Sequence, residues 1–395
     1  MKNINSKKKI IKLRIKLEST YYYVLFFLLS ILCIPNNFVF GLFNTMLKWI
    51  PVVFFPFCLF VFFSKKLYKK RFLLPFCVLL IWQTFSTVIN FTGITGIVAR
   101  NAKFFSAVII TTELFDKNPK KTTKNIATIF TLIMVVQYIS FITHIFGYSY
   151  DQSIDNIYNY FLGIRVNINK IILFAFFFSI WNILLNPLSG TIKTVIVLFT
   201  GLSFVFGEHV STSIIGVFIY AAVLLMFVFI RNKRMWHGVI ILTVVSVVSF
   251  AFIRRTEYFE RLLIDLLNES LTLNGRVDLW EQAINNLHGL KWIIGNGYEN
   301  NYLFFLGNSF RTNLTHNQYL QYIFNYGFVG LALYVYMCYF QAHKATNKNE
   351  FVNANLIACL LSMLVIQVPA TTDDMVYYYI FYAASMYINS VKLSD

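Results

Sequence analysis

Apolar runs follow one another along nearly the whole chain, parted by short polar or basic stretches, and about twelve of them approach the twenty or so residues a helix needs to cross a hydrocarbon core. They lie near 21–35, 44–63, 72–89, 97–115, 125–146, 170–186, 190–206, 211–230, 236–253, 318–340, 352–369 and 375–391. The runs are continuously apolar, whereas strands of a membrane barrel alternate lipid-facing and lumen-facing residues, so a β-barrel is excluded. The predicted fold is an all-α, polytopic integral membrane protein. An N-terminal bundle of about nine spans over 1–253 is followed by a long loop over 254–317 and three closing spans over 318–395.

Composition agrees, because 57% hydrophobic residues, 18% aromatics and 13% charge do not make ordinary globules with polar surfaces. Lysine and arginine gather in alternate connections: Lys7 to Lys16, Lys65 to Arg71, Lys117 to Lys124, Arg231 to Arg234, and Lys344 with Lys348. Short cytoplasmic loops carry this excess, so both termini are expected in the cytoplasm and the 254–317 loop outside. The net charge of +17 is then a topological signal, with anionic membrane lipids as its contacts and no nucleic acid. The first apolar run ends at Pro35, Asn36 and Asn37 without a small-residue cleavage pattern, which predicts a retained span and not a signal peptide. All five cysteines lie inside apolar runs as small hydrophobes, and no disulfide or zinc framework is indicated.

The large loop is patterned. Phe259, Leu262, Leu263, Leu266 and Leu267 fall at helical spacing opposite Glu260, Arg261, Asp265 and Glu269. A second helical stretch carries Val277, Trp280, Ile284 and Leu287 and runs up to the turn signal Gly295-Asn296-Gly297. The reading is a small helical cap on the outer leaflet. Basic residues outside are scarce, so those that remain are candidates for function: Arg165, Arg254, Arg255, Arg261, Arg276, Lys291 and Arg311. Each has an ordinary alternative, pairing with a neighbouring carboxylate or snorkelling to headgroups. Arg100, with Lys103 beside it, is harder to dismiss, because a charge within a span is costly and usually faces a cavity, partner or substrate. Glu208 and His209 on a short outer turn are weaker candidates.

The sharpest local pattern is the string THNQYLQYIFNYGFVG over 315–330, where the loop re-enters the membrane. Thr315 is positioned to cap the helix that begins here, whose free amides and dipole favour an anion nearby. The same dipole favours a neutral His316, suited to accept a proton, although a membrane-edge histidine also serves as a hydrogen-bonded structural group. Gly327 and Gly330 have a bland reading as sites of close helix packing.

His316-Asn317, nine residues, Gly327, two residues and Gly330 together resemble the signature of bacterial O-antigen ligases and the related Wzy-type polysaccharide polymerases. Upstream, Gly275-Arg276, Leu279-Trp280, Ala283 and Gly295-Asn296-Gly297 follow the order that precedes this signature in the family, and the late large loop is similarly placed. An arginine, ten residues, glycine motif described in some polymerases is not found.

The resemblance implies a GT-C-like fold in a bacterial cytoplasmic membrane and glycosyl transfer on its outer face from an undecaprenyl-pyrophosphate-linked oligosaccharide. An acceptor hydroxyl attacks the anomeric carbon and lipid pyrophosphate departs. In that chemistry His316 and Arg276 are the expected catalytic residues. Arg100, Lys103, Arg165, Arg254, Arg255, Asn317 and Trp280 are candidates for binding pyrophosphate or sugar. No cofactor or metal is expected, since an Asp-x-Asp motif is missing and Asp373-Asp374 reads as exposed charge. A chain-length regulator and a flippase are possible partners. A polymerase of repeat units is favoured over a ligase because the chain is rich in Lys, Asn, Ile and Phe, a composition common in bacteria that make capsule without lipid A. A lipid-linked oligosaccharide flippase is the nonenzymatic rival, but it predicts paired halves, and no repeat is detected between the two halves here.

Overall fold

A computed structural model describes residues 18–35, 41–145, 148–151, 154–230, 233–250, 276–306, 310–312, 314–344, 350–369 and 376–388. Every apolar run coincides with a helix. The first five are α1 (Glu18–Leu32), α2 (Gly41–Ser64), α3 (Leu73–Ile89), α4 (Ile94–Lys117) and α5 (Pro119–Thr143). After a hairpin of β1 (Tyr148–Asp151) and β2 (Ile154–Tyr158) come α6 (Ile172–Leu185), α7 (Pro187–Gly207), α8 (Ser211–Phe229) and α9 (Lys233–Phe250). The late loop holds α10 (Arg276–Asn285), α11 (Lys291–Ile294), β3 (Phe304–Leu306) and β4 (Phe310–Thr312), and α12 (Gln318–Lys344), α13 (Glu350–Ile366) and α14 (Val376–Ser385) close the chain. Six helices among the described residues are long and apolar enough to cross a membrane.

Local chemistry explains where helices restart. Asn118-Pro119 and Asn186-Pro187 each put proline at the first helical position, where its missing N–H costs nothing. The Asn118 side chain accepts from the Lys121 amide at 3.0 Å and completes that cap. In the apolar window of α4, 78% of residues are buried, against 17% in that of α2 and 33% in that of α7, so α4 is central while α2 and α7 present their sides outward. The whole of α14 is buried. Two of its tyrosines donate their hydroxyls to carbonyls elsewhere in the chain, Tyr377 to Cys33 at 2.8 Å and Tyr382 to Phe72 at 2.6 Å, as suits a phenol in an apolar setting. Where α4 ends, Lys70 pairs with Asp116 at 2.7 Å, and Tyr387 also donates to Asp116 at 2.8 Å.

Two antiparallel hairpins, β1 with β2 and β3 with β4, depart from the purely helical expectation. The second has a visible cause in the Gln282 side chain of α10. Its amide nitrogen donates to the Phe305 carbonyl at 2.8 Å and its oxygen accepts from the Phe305 N–H at 2.8 Å, so the side chain acts as a third, one-residue strand. The late loop is therefore mixed, and residues 291–300 dip down to contact the ends of α3 and α4 instead of forming only a helical cap. The amphipathic stretch over 256–269, with Arg254, Arg255 and Arg261, lies outside the described residues, as do Gly275, Asp373 and Asp374.

The main correction concerns the span expected over 318–340. α12 is broken at Gly327, whose φ of 68° and ψ of −176° are non-helical. In a continuous helix Tyr322 and Tyr334 would stand roughly 18 Å apart along the axis. Their rings stack with centroids 4.5 Å apart, so the half-helix 318–326 folds back sharply against residues 328–344.

Candidate functional site

Breaking a helix frees carbonyls that the next turn would have bonded, and buried carbonyls need partners. Here the late loop and α3 supply them. The Asn296 N–H donates to the Phe324 carbonyl at 2.8 Å and the Gly297 N–H to the Asn325 carbonyl at 2.8 Å. From α3, Ser86 donates its hydroxyl to the Asn325 carbonyl at 2.9 Å and Trp82 its indole N–H to the Tyr326 carbonyl at 2.8 Å. The glycines of the sequence pattern are what allow this closeness. A Cβ on Gly327 would lie 1.9 Å from the Ile293 carbonyl oxygen, and one on Gly295 would lie 2.3 Å from the Asn325 carbonyl. Gly327 thus ends a helix and also lets α11 pack closely against it. Gly330 lies where a Cβ would meet the Cβ of Tyr326 at 2.4 Å.

The other end of the half-helix carries His316. Asn317, and not Thr315, is the capping side chain: its Oδ1 accepts from the amides of Tyr319 and Leu320, both at 3.0 Å. The Gln318 amide goes to the Gln367 carbonyl at 2.9 Å and the Gln321 amide to the Asn317 carbonyl at 2.8 Å. With all four first-turn amides committed, no free N–H is left here for an anion, which corrects that part of the sequence reading. Asn317 is fully buried, and its side-chain oxygen holds the helix start. His316, half-buried, takes a left-handed φ of 51°, a conformation a side chain adopts only when its surroundings dictate it.

Its surroundings are well braced. Trp280 of α10 is buried and donates its indole N–H to the Thr315 carbonyl at 2.9 Å, so it steadies the residue before His316 and offers no open ring face to a sugar. The Thr315 N–H donates to Gln321 Oε1 at 2.7 Å, and Gln321 Nε2 donates to Asn325 Oδ1 at 3.1 Å. Asn300 Nδ2 meets the same Asn325 oxygen at 3.1 Å and the Gly297 carbonyl at 2.9 Å. A chain of amide groups therefore runs the length of the half-helix, from beside His316 to the Gly295-Asn296-Gly297 turn. Asn317, Gln321 and Asn325 recur every fourth residue, a polar helical stripe that was present in the sequence but not singled out.

At the far end of that chain stands Arg100. It is buried in α4, donates a guanidinium N–H to the Tyr326 hydroxyl, and has its carbon 5.0 Å from the ring centre of Tyr298 and 5.1 Å from that of Phe104. Aromatic faces favour a cation held this way. Lys103, three residues on, is half-buried and lies toward Cys33 at the end of α1. Arg276 opens α10 and is half-buried. Arg165 is exposed in a separate cluster, its guanidinium 3.4 Å from the Glu208 carbonyl, and there Tyr160 donates its hydroxyl to the Glu208 carboxylate at 2.6 Å. Burial first, and then that carboxylate, push the Tyr160 phenol well above the ordinary tyrosine range.

The structure thus ties Trp280 and the residue before His316 to one hydrogen-bonded half-helix, with Arg100 on the Tyr326 hydroxyl at its other end, and puts Arg165 in a separate cluster. Asn300, Gln321 and Tyr326, with Tyr298 over Arg100 and Glu299 against Gly93 and Gly96, were missed, since nothing in their local sequence shows that the loop returns to α4. Among the described residues no group of three or more His, Cys, Asp or Glu side chains is placed to hold a metal ion.

Residues 196–335 match the model of the O-Antigen ligase family, a stretch that runs from α7 to the middle of α12 and includes Arg276, His316, Gly327 and Gly330. The resemblance read from the sequence holds over that span. No curated protein and no solved structure matches the chain.

Proposed function

We propose that this chain, which carries an O-antigen ligase family domain in a bundle of apolar helices, is a membrane polymerase of bacterial surface polysaccharide. It joins undecaprenyl-pyrophosphate-linked repeat units. The observation that supports the reading is the placement of a buried arginine and the signature histidine at the two ends of one braced half-helix. In such a transfer further negative charge grows on the departing pyrophosphate, and an arginine in a site of low dielectric stabilises that transition state more than the less charged ground state. Arg100 takes this role, assisted by Arg276 from the start of α10. His316 accepts the proton of the acceptor hydroxyl as its oxygen bonds to the anomeric carbon. The electron pair of the breaking C–O bond leaves with the lipid pyrophosphate. The step takes place at the loop-bearing end of the bundle, which the distribution of lysine and arginine orients outward.

Deleting the gene in its host and sizing lipid-linked and surface glycans by gel and mass spectrometry tests this. Single repeat units without long polymer are expected. Long polymer stranded on the lipid carrier would make the protein a ligase, and repeat units held on the cytoplasmic face would overturn both readings in favour of a flippase. His316→Ala expressed in the deletion strain at normal membrane abundance is expected to restore no polymer. Arg276→Lys is expected to impair it, because a point charge does not reproduce a bidentate fork.

A further inference from the structure

Glu299 stands out among the charged groups that this mechanism leaves unused. It follows Tyr298, whose ring covers Arg100, and it holds a left-handed φ of 47° although it is not glycine. Its side chain lies flat across the first turn of α4, over two glycines spaced one turn apart. A Cβ on Gly96 would be 2.2 Å from Glu299 Oε2, and one on Gly93 would be 2.6 Å from Glu299 Cβ. Any other residue at either position would push the carboxylate away. Gly96 lies four residues before Arg100 on the same helix, about 6 Å along the axis, so the Glu299 side chain lies about one turn from the residue that carries the guanidinium. Glu299 as a residue is exposed.

This arrangement works against simple pyrophosphate binding, because a fixed carboxylate repels an anion seated at Arg100. A carboxylate kept there at that cost points to a second contact with the same ligand. The sugar joined directly to the pyrophosphate provides one, since its ring hydroxyls or amide N–H groups must lie beside the phosphate-binding group, and a carboxylate accepts hydrogen bonds from two of them at once. We infer that Glu299 is a specificity residue that binds the first sugar of the lipid-linked donor, held in register with Arg100 by the Gly93 and Gly96 seat on α4. The inference rests on the reading of Arg100 as the pyrophosphate contact.

Binding of two probes to the purified full-length protein in lipid nanodiscs separates the two ideas. The probes are undecaprenyl pyrophosphate without sugar and the lipid-linked repeat unit extracted from the deletion strain. Glu299→Gln is expected to weaken the glycosylated donor about ten- to a hundredfold, the loss of a hydrogen bond to a charged group, while leaving binding of the bare carrier equal or tighter. Gly96→Ala, which displaces the carboxylate without removing it, is expected to show the same selectivity. Arg100→Ala is expected to weaken both probes. Equal weakening of both by Glu299→Gln, or no change in either, overturns the role of Glu299 while the Arg100 reading stands. An Arg100→Ala protein that binds the bare carrier like wild type overturns the pyrophosphate reading and this inference with it.

Discussion

Replacing Gly327 with alanine isolates the contribution of the helix break. The backbone there has φ of 68° and ψ of −176°, a region that only glycine occupies readily, and holding another residue in it costs about 1–3 kcal/mol. The new methyl would also lie 1.9 Å from the Ile293 oxygen and 2.1 Å from its carbonyl carbon, atoms of a backbone that has no rotamer with which to move aside. Relief requires α11 and the following turn to lift, which breaks the two bonds from Asn296 and Gly297 to the freed carbonyls of the half-helix. At about 0.5–1.5 kcal/mol each, those bonds bring the local cost to roughly 2–6 kcal/mol. A change of that size speeds exchange of the Asn296 and Gly297 amides by roughly thirtyfold to twenty-thousandfold, at about 1.4 kcal/mol per factor of ten. Hydrogen exchange read by mass spectrometry on peptides covering 293–298 and 322–328 measures it. Gly289→Ala is the control: its φ of 52° is also left-handed, but nothing lies within 4 Å of the added methyl. It is expected to leave the 293–298 peptide unchanged. Wild-type protection of Asn296 and Gly297 in Gly327→Ala would refute the argument that the break and the turn form one unit.

Trp280→Phe keeps the buried ring but removes the donor to the Thr315 carbonyl, and about 1–3 kcal/mol of local stability is expected to go with it, seen as faster exchange around 314–317 together with reduced polymer synthesis. Asn317→Ala removes the cap from two first-turn amides, with an expected loss of about 1 kcal/mol, and Asn317→Asp is expected to retain most of the capping; equal exchange of Tyr319 and Leu320 in all three proteins would contradict the cap assignment. Tyr160 binds its proton more tightly folded than unfolded, so its contribution is complete below the ordinary tyrosine pKa of about 10 and fades as pH rises from there toward the elevated folded value. Tyr160→Phe is accordingly expected to reduce the alkaline loss of stability in thermal melts between pH 9 and roughly 11, and identical slopes for mutant and wild type would refute this linkage.

The sequence alone determined where the helices lie. A run of apolar residues has few ways to satisfy its backbone in lipid except by bonding to itself, so each such run became a helix whatever its neighbours. It also carried the chemistry of the re-entry segment, because His316, Asn317, Gly327 and Gly330 form a local string, and the polar stripe of Asn317, Gln321 and Asn325 could have been read from spacing. The direction of the chain after Gly327 was not legible in the same way. Glycine permits a break without requiring one, and only the approach of Ile293 and the turn at 295–297 selects it. The cap followed the same rule: Thr315 was the expected cap, and Asn317 takes that place where the Thr315 N–H is held by Gln321 and its carbonyl by the indole of Trp280. Trp280 itself looked like a sugar platform until packing enclosed it. Arg100, Tyr298, Glu299 and Tyr326 come from segments some 200 residues apart, and their meeting depends on long-range packing that no local pattern encodes.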